Sequence, residues 1–194
     1  MPIDAKTVAE LRELTGAGMM DAKRALEEAN GDLAGAAEVL KKKGVAKAAK
    51  KGDRETHEGR VFSYIHANGK VGALVEILCE TDFVARNENF AELCKDVAMH
   101  ITAADPLYVK REQVPQEMVE KQRAMFQGEV EGKTADIVEK IVTGKLDKWF
   151  SEICLLEQPF VKDDEKTIDD LLKEKITSLG ENMQINRFSR FSIG

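Results

Sequence analysis

The 194-residue chain contains only three cysteines, Cys79, Cys94 and Cys154, each within an apolar run and no two at metal-ligand spacing. The odd number and wide separation argue against a disulfide framework and against a zinc site, which leaves buried, reduced thiols. Long apolar runs are missing too. No window approaches the ~18 consecutive apolar residues that a membrane span needs, which excludes a transmembrane helix. Residues 1–10 carry Asp4 and Glu10 and no apolar stretch, so a secretory signal is not expected and a cytoplasmic location is. There are three histidines, His57, His66 and His100, at scattered positions. No Gly-x-Ser-x-Gly, phosphate-loop, dinucleotide or His-Glu-x-x-His pattern occurs. Thr15-Gly16-Ala17-Gly18 is glycine-containing, but it follows a helical pattern and lacks the Lys-Ser/Thr ending of a phosphate loop. Neither a metal nor a cofactor is expected, and no covalent chemistry.

Hydrophobic residues make up 43% and charged residues 33%, enough for a core and a soluble surface. The length suits one domain, or one domain with a small module. Net charge is −6, unevenly spread. Residues 41–54 (KKKGVAKAAKKGDR) hold seven cations and one acid, Asp53, so a local +6 leaves −12 on the remainder. A basic hinge on an acidic chain does not resemble a dedicated nucleic-acid binder, whose whole face tends to be basic. It reads as a solvated linker or helix end, with a salt-dependent contact to RNA or an acidic partner as the alternative.

The periodicity predicts three helices over residues 1–44. Val8, Leu11 and Leu14 follow a cap at Asp4 or Thr7; Met19, Met20, Ala22, Ala25 and Leu26 follow the Gly16–Gly18 break; Leu33, Ala36, Ala37 and Leu40 follow Asp32. The third helix is expected to end in lysines and Gly44, with residues 45–58 as a basic, partly helical linker. Residues 59–66 and 71–79 read as strands joined by an Asn68-Gly69 two-residue turn, the second strand apolar enough for a central position. Helices are then expected from Asn87, from Pro115, from Thr134 to Gly144, and over Leu146–Ile153. Residues 155–161 read as extended, Thr167–Leu179 as a helix, and 183–193 as a strand. The fold class is α+β: a three-helix module (1–44), a linker (45–58), and a core (59–194) built on a small antiparallel sheet covered by helices.

The densest candidate site is Cys79-Glu80-Thr81-Asp82-Phe83-Val84-Ala85-Arg86-Asn87, where a strand gives way to a helix. An aromatic beside an acid at such a junction is either a Phe tucked under the helix that Asp82 caps, or a projecting wedge. Met19 and Met20 behind a glycine loop form a second candidate surface, flanked by Lys23 one turn on, because paired methionines adapt to a partner. An acid–base or thiol site using Asp82 with Cys79 or His100 is a third reading, although nothing in the spacing demands it.

Leu14-Thr15-Gly16-Ala17-Gly18-Met19-Met20-Asp21-Ala22-Lys23-Arg24-Ala25-Leu26, followed by Asn30-Gly31-Asp32, resembles the N-terminal module of the bacterial elongation factor Ts family. Lys47–Lys51 resembles its linker, and Cys79–Asn87 its core signature. Ala98-Met99-His100-Ile101 and Gln158-Pro159-Phe160-Val161 are similar to two further segments in the same order. The resemblance implies a guanine-nucleotide exchange factor for elongation factor Tu. It implies a ubiquitin-associated-like (UBA-like) module that docks on the GTPase domain. Thr81, Asp82, Phe83 and Val84 would dislodge the magnesium bound there. Met19, Met20, Lys23, Arg86, Asn87 and His100 would be further partner-binding residues. Longer members carry two related core subdomains, whereas this chain has room for one. It therefore resembles the short form, and a homodimer with a two-plus-two complex is expected. The edge of residues 183–193 is a candidate dimer contact.

Overall fold

The computed structural model describes residues 3–130 and 134–193. The chain forms two compact units. The first comprises Met1–Arg60, Ile77–Leu93 and Asp170–Gln184; the second comprises Val61–Glu76, Cys94–Asp169 and Ile185–Gly194. The described residues form eight α-helices and five strands, an α+β fold.

In the first unit, α1 (Ala5–Thr15), α2 (Met19–Glu28) and α3 (Leu33–Ala49) bury Val8, Leu11, Ala22, Ala25, Leu26 and Ala36. Asp4 caps α1 by accepting the Thr7 N–H at 2.6 Å, and Asp32 caps α3 by accepting the Gly35 N–H at 2.8 Å. Gly16, at φ 65°, closes α1 in the left-handed conformation, donating its N–H to the Arg12 carbonyl. Two expectations change here. Leu14 is exposed rather than part of the core. And α3 does not stop at Gly44 but runs to Ala49. One glycine costs a helix only ~1 kcal/mol, and Val45, Ala46 and Ala48 continue the pattern. The bare Gly44 backbone also admits a neighbour: Thr177 Oγ1 donates to the Gly44 carbonyl at 3.1 Å. Thr177 lies on α8 (Ile168–Leu179), whose last turns belong to the same unit.

The sheet has the order β1 (Glu58–Ile65), β2 (Val71–Cys79), β5 (Met183–Ser192), which puts the apolar β2 at its centre. The β1–β2 turn is longer than the two-residue form. The Gly69 N–H bonds the His66 carbonyl at 2.8 Å, so Ala67 and Asn68 are the central residues, and Gly69 follows at φ 67°.

In the second unit, α5 (Glu88–Ala104) supplies its C-terminal half, followed by α6 (Gln116–Gly128) and α7 (Ala135–Ile153). Val114, Val142, Leu146, Phe150 and Cys154 form a core here with Tyr108 and Phe126 against them. Two predicted helices merge in α7. Gly144 sits on its exposed side, and Val142, Leu146 and Phe150 keep one apolar face through it. Residues 155–161 are only partly extended: Leu155–Glu157 is a 3-10 turn, and β3 (Pro159–Phe160) pairs antiparallel with β4 (Asp163–Thr167). No helix among the described residues is long and apolar enough to cross a membrane.

Candidate functional site

The buried end of β2 anchors the candidate loop. Cys79 is fully buried, and its thiol donates to the Thr81 carbonyl at 3.2 Å. Burial, then the nearby Glu181 carboxylate, push this thiol up to about 11, so it stays protonated and is no nucleophile. Glu80 follows and accepts the Asn182 N–H at 2.6 Å and an Arg54 guanidinium N–H at 3.4 Å. Asn182, itself buried, donates from its amide to the carbonyls of Arg54 at 2.7 Å and Gly52 at 3.3 Å. Glu181 then takes both donors of Thr81, the N–H at 3.0 Å and the hydroxyl at 2.6 Å.

Thr81 is the residue that caps the short helix α4 (Asp82–Ala85); its Oγ1 accepts the Val84 N–H at 3.4 Å. Asp82, the cap in the tucked-Phe alternative, is the first helical residue and pairs with Arg86 at 3.1 Å. That pair is largely exposed and worth only a few tenths of a kcal/mol. Asn87 ends the turn and begins the next helix: its N–H reaches the Val84 carbonyl at 3.0 Å, and its Oδ1 accepts the Asn89 N–H at 2.8 Å. Ala85 is buried and holds the turn down.

Between these fixed points Phe83 is 82% exposed. The tucked-Phe arrangement is therefore not the one adopted. The turn spends its hydrogen bonds on staying rigid and presents a phenyl ring to solvent, with half-buried Val84 beside it. A lone exposed apolar residue is ordinary. This one stands at the tip of a turn whose cap, Thr81, is bonded to Glu181, which makes it a candidate contact. Glu80 lies within the stretch the sequence singles out; Glu181 and Asn182 were not read as part of it, although Gly180, which ends α8, stands just before them.

The second surface lies in the same unit. Met19 and Met20 open α2 and are 56% and 62% exposed, with Leu14 exposed just before them. Lys23 is exposed and reaches Glu27 at 4.0 Å. Asp21 pairs with Lys47 at 3.1 Å and with Arg24, and those partners, Lys47 first, hold its carboxyl below the ordinary range. Within the basic stretch Lys42 pairs with Glu38, Lys43 with Glu28, and Arg54 with Glu80.

His100 belongs to neither surface. It is fully buried in the second unit, bonded through Nε2 to Gln158 Oε1 at 2.9 Å and through Nδ1 to the Val161 N–H at 3.3 Å. Its expected direct contact with a partner has no exposed atoms to make it. Cys79, Asp82 and His100 are each bonded elsewhere, and the thiol–acid–histidine alternative has no geometry behind it. No cluster of three or more metal-ligating side chains occurs among the described residues.

The sequence model of the Elongation factor TS family matches residues 5–194. The chain is 54% identical to an Elongation factor Ts from Thermosipho melanesiensis over 99% of both proteins. It is 56% identical to one from Carboxydothermus hydrogenoformans, covering 99% of this chain and 89% of that protein. A Geobacter sulfurreducens Elongation factor Ts is 54% identical, covering all of this chain and 91% of that protein.

Proposed function

The chain belongs to the elongation factor Ts family, a family of translation elongation factors, and on that premise we propose that it is the guanine-nucleotide exchange factor for elongation factor Tu, acting through the turn that carries Phe83. The observation that carries the reading is the pairing of an 82% exposed phenyl ring with a turn held by side-chain and backbone bonds on both sides. Thr81, Asp82, Phe83 and Val84 enter the GTPase domain beside its magnesium and phosphates. Phe83 occupies an apolar pocket there, and Asp82 and Arg86, exposed on the same turn, meet polar groups around it. Residues 1–44 dock as a UBA-like module through Met19, Met20 and Lys23, residues 45–58 connect, and 59–194 form the core. No covalent chemistry takes place on this chain.

Magnitudes assign the roles. A nucleotide held at nanomolar affinity is bound by ~12 kcal/mol. Burying one Phe supplies only ~1.5–3 kcal/mol. The full interface must provide the rest, and Phe83 directs where it acts. Reciprocity follows: the factor by which this protein weakens GDP binding is the factor by which GDP weakens its own binding, so incoming nucleotide releases it. Losing the magnesium matters because the ion neutralises phosphate charge.

The same reading includes a homodimer and a two-plus-two complex. Exposed Leu74 alternates with buried Ala73 and Val75 on β2, and Val61, Ile65 and Phe191 are exposed on the flanking strands. A sheet face this apolar suits a second copy of the chain.

The test is release of labelled GDP from elongation factor Tu by substoichiometric amounts of this protein. Phe83→Ala should slow stimulated release by roughly ten- to a hundredfold, the equivalent of the lost burial. Its thermal midpoint should not move, because the ring is already in solvent. A folded Phe83→Ala protein that exchanges at the unmodified rate sinks the proposal.

A further inference from the structure

We propose that Glu181 is the positioning residue of the exchange turn, an inference that rests on the wedge reading above. Glu181 lies a hundred residues from Thr81 in sequence, yet its carboxylate takes both of that residue's donors, the N–H at 3.0 Å and the hydroxyl at 2.6 Å. A carboxylate only accepts, so the Thr81 hydroxyl must spend its proton on Glu181. Its lone pairs are then free to face the Val84 N–H, which lies 3.4 Å away. The cap of α4 is thus oriented by Glu181 rather than by Thr81 alone.

A four-residue helix has no stability of its own. Its direction must be imposed from outside, and Ala85 is the buried residue within it. Glu181 is itself held on both sides. Gly180, at φ 83°, ends α8 before it, and Asn182 after it bonds Glu80 through its N–H at 2.6 Å and the Arg54 carbonyl through its amide at 2.7 Å. Bonds to an ionised acceptor are the stronger kind. The result is an exposed Phe83 whose approach angle is set before any partner arrives, so less ordering remains to be done on contact.

The test uses the full-length chain and Glu181→Ala, Glu181→Gln, Thr81→Val and Phe83→Ala. Stimulated GDP release is resolved into its maximal rate and the factor concentration giving half of it, and amide hydrogen exchange is followed over residues 81–85. Glu181→Ala should lower the maximal rate by roughly tenfold, the equivalent of one charge-assisted contact. The half-saturating concentration should change little, and protection should be lost at Thr81 and Val84 but kept through α5. Thr81→Val, which keeps the N–H of residue 81 on Glu181, should lower the maximal rate with protection lost at Val84 alone, and the double variant should be no worse than Glu181→Ala; Glu181→Gln, which accepts from the Thr81 N–H but turns an amide donor toward the hydroxyl, should recover only part of the rate. If Phe83→Ala is slow while Glu181→Ala and Thr81→Val reach the unmodified maximal rate, the positioning role is overturned and the wedge stands. If Phe83→Ala is itself unimpaired, the wedge falls and this role with it. Protection lost across α5 as well would reduce Glu181 to general stability and overturn the proposal; should Glu181→Ala not fold, Thr81→Val, lacking one hydroxyl, decides alone.

Discussion

Replacing His100 by Ala removes a side chain that is fully buried and doubly bonded. The Val161 N–H can only donate, so Nδ1 is the acceptor and Nε2 carries the proton that goes to Gln158 Oε1. Gln158 in turn donates to the Glu152 carbonyl at 2.8 Å, which fixes its amide orientation and prevents it from turning to find another partner. His100→Ala therefore orphans the amide oxygen of buried Gln158, at ~1–3 kcal/mol, frees the N–H of exposed Val161, and leaves a cavity beside Phe160, whose ring centre is 6.2 Å from that of His100. Partial relaxation reduces the sum, and a loss of ~3–5 kcal/mol is expected, measured as the shift in urea midpoint at pH 8.

The same network fixes a pH dependence. Burial is the main cause holding the imidazole below its ordinary 6.5, and the bond to Gln158 opposes it only in part. As pH falls through about 6.5 the unfolded chain takes up a proton that the folded one refuses, so folding loses stability. Above that value both states are neutral and the contribution is complete. It declines from about pH 6.5 down to the lower folded value, where the folded imidazole protonates and Nδ1 gives up the Val161 N–H. His100→Ala should lack this component, so the stability difference between the two proteins should shrink between pH 7 and pH 5.5. A difference that stays constant over that range, or a variant as stable as the parent at pH 8, refutes the reasoning.

What the sequence made legible followed from local rules. Capping and apolar spacing located α1, α2 and the start of α3, because Asp4 and Asp32 bond within three residues of themselves. The apolar run of β2 marked a central strand, since only a strand covered by neighbours on both edges tolerates it. The errors arose where distant groups decide. Whether Asp82 caps α4 was open in the sequence; Thr81 does, its hydroxyl also bonded to Glu181, a hundred residues along the chain. Phe83 projects, as the wedge alternative had it, whereas the bonds of Thr81 to Glu181 that hold the turn cannot be read within Cys79–Asn87. His100 sat in a segment that pointed to a partner, whereas Gln158 and Val161, far along the chain, bind it into the interior. Gly44 and Gly144 were read as breaks because a glycine's cost is local, but the packing of Thr177 and of Leu146 and Phe150 outweighs it.

Two further outcomes follow from surfaces and backbone. Leu74→Glu places a charge at the centre of the exposed sheet face, and light scattering should fall from twice 21.6 kDa toward a single chain; a free protein already monomeric before the substitution defeats the dimer reading. Gly144→Ala should stabilise the fold. The position is exposed in mid-helix, and an added Cβ meets nothing within 4 Å, so no packing opposes it. The gain comes from the unfolded chain, which loses freedom, and is about 0.5–1 kcal/mol, raising a cooperative midpoint by roughly 1–4 °C. Because Val142, Leu146 and Phe150 form one face through this residue, the rise should come without change in helix content by circular dichroism. A lowered midpoint would mean that Gly144 serves as a bend that α7 needs, and that the face is continuous only because the glycine permits it.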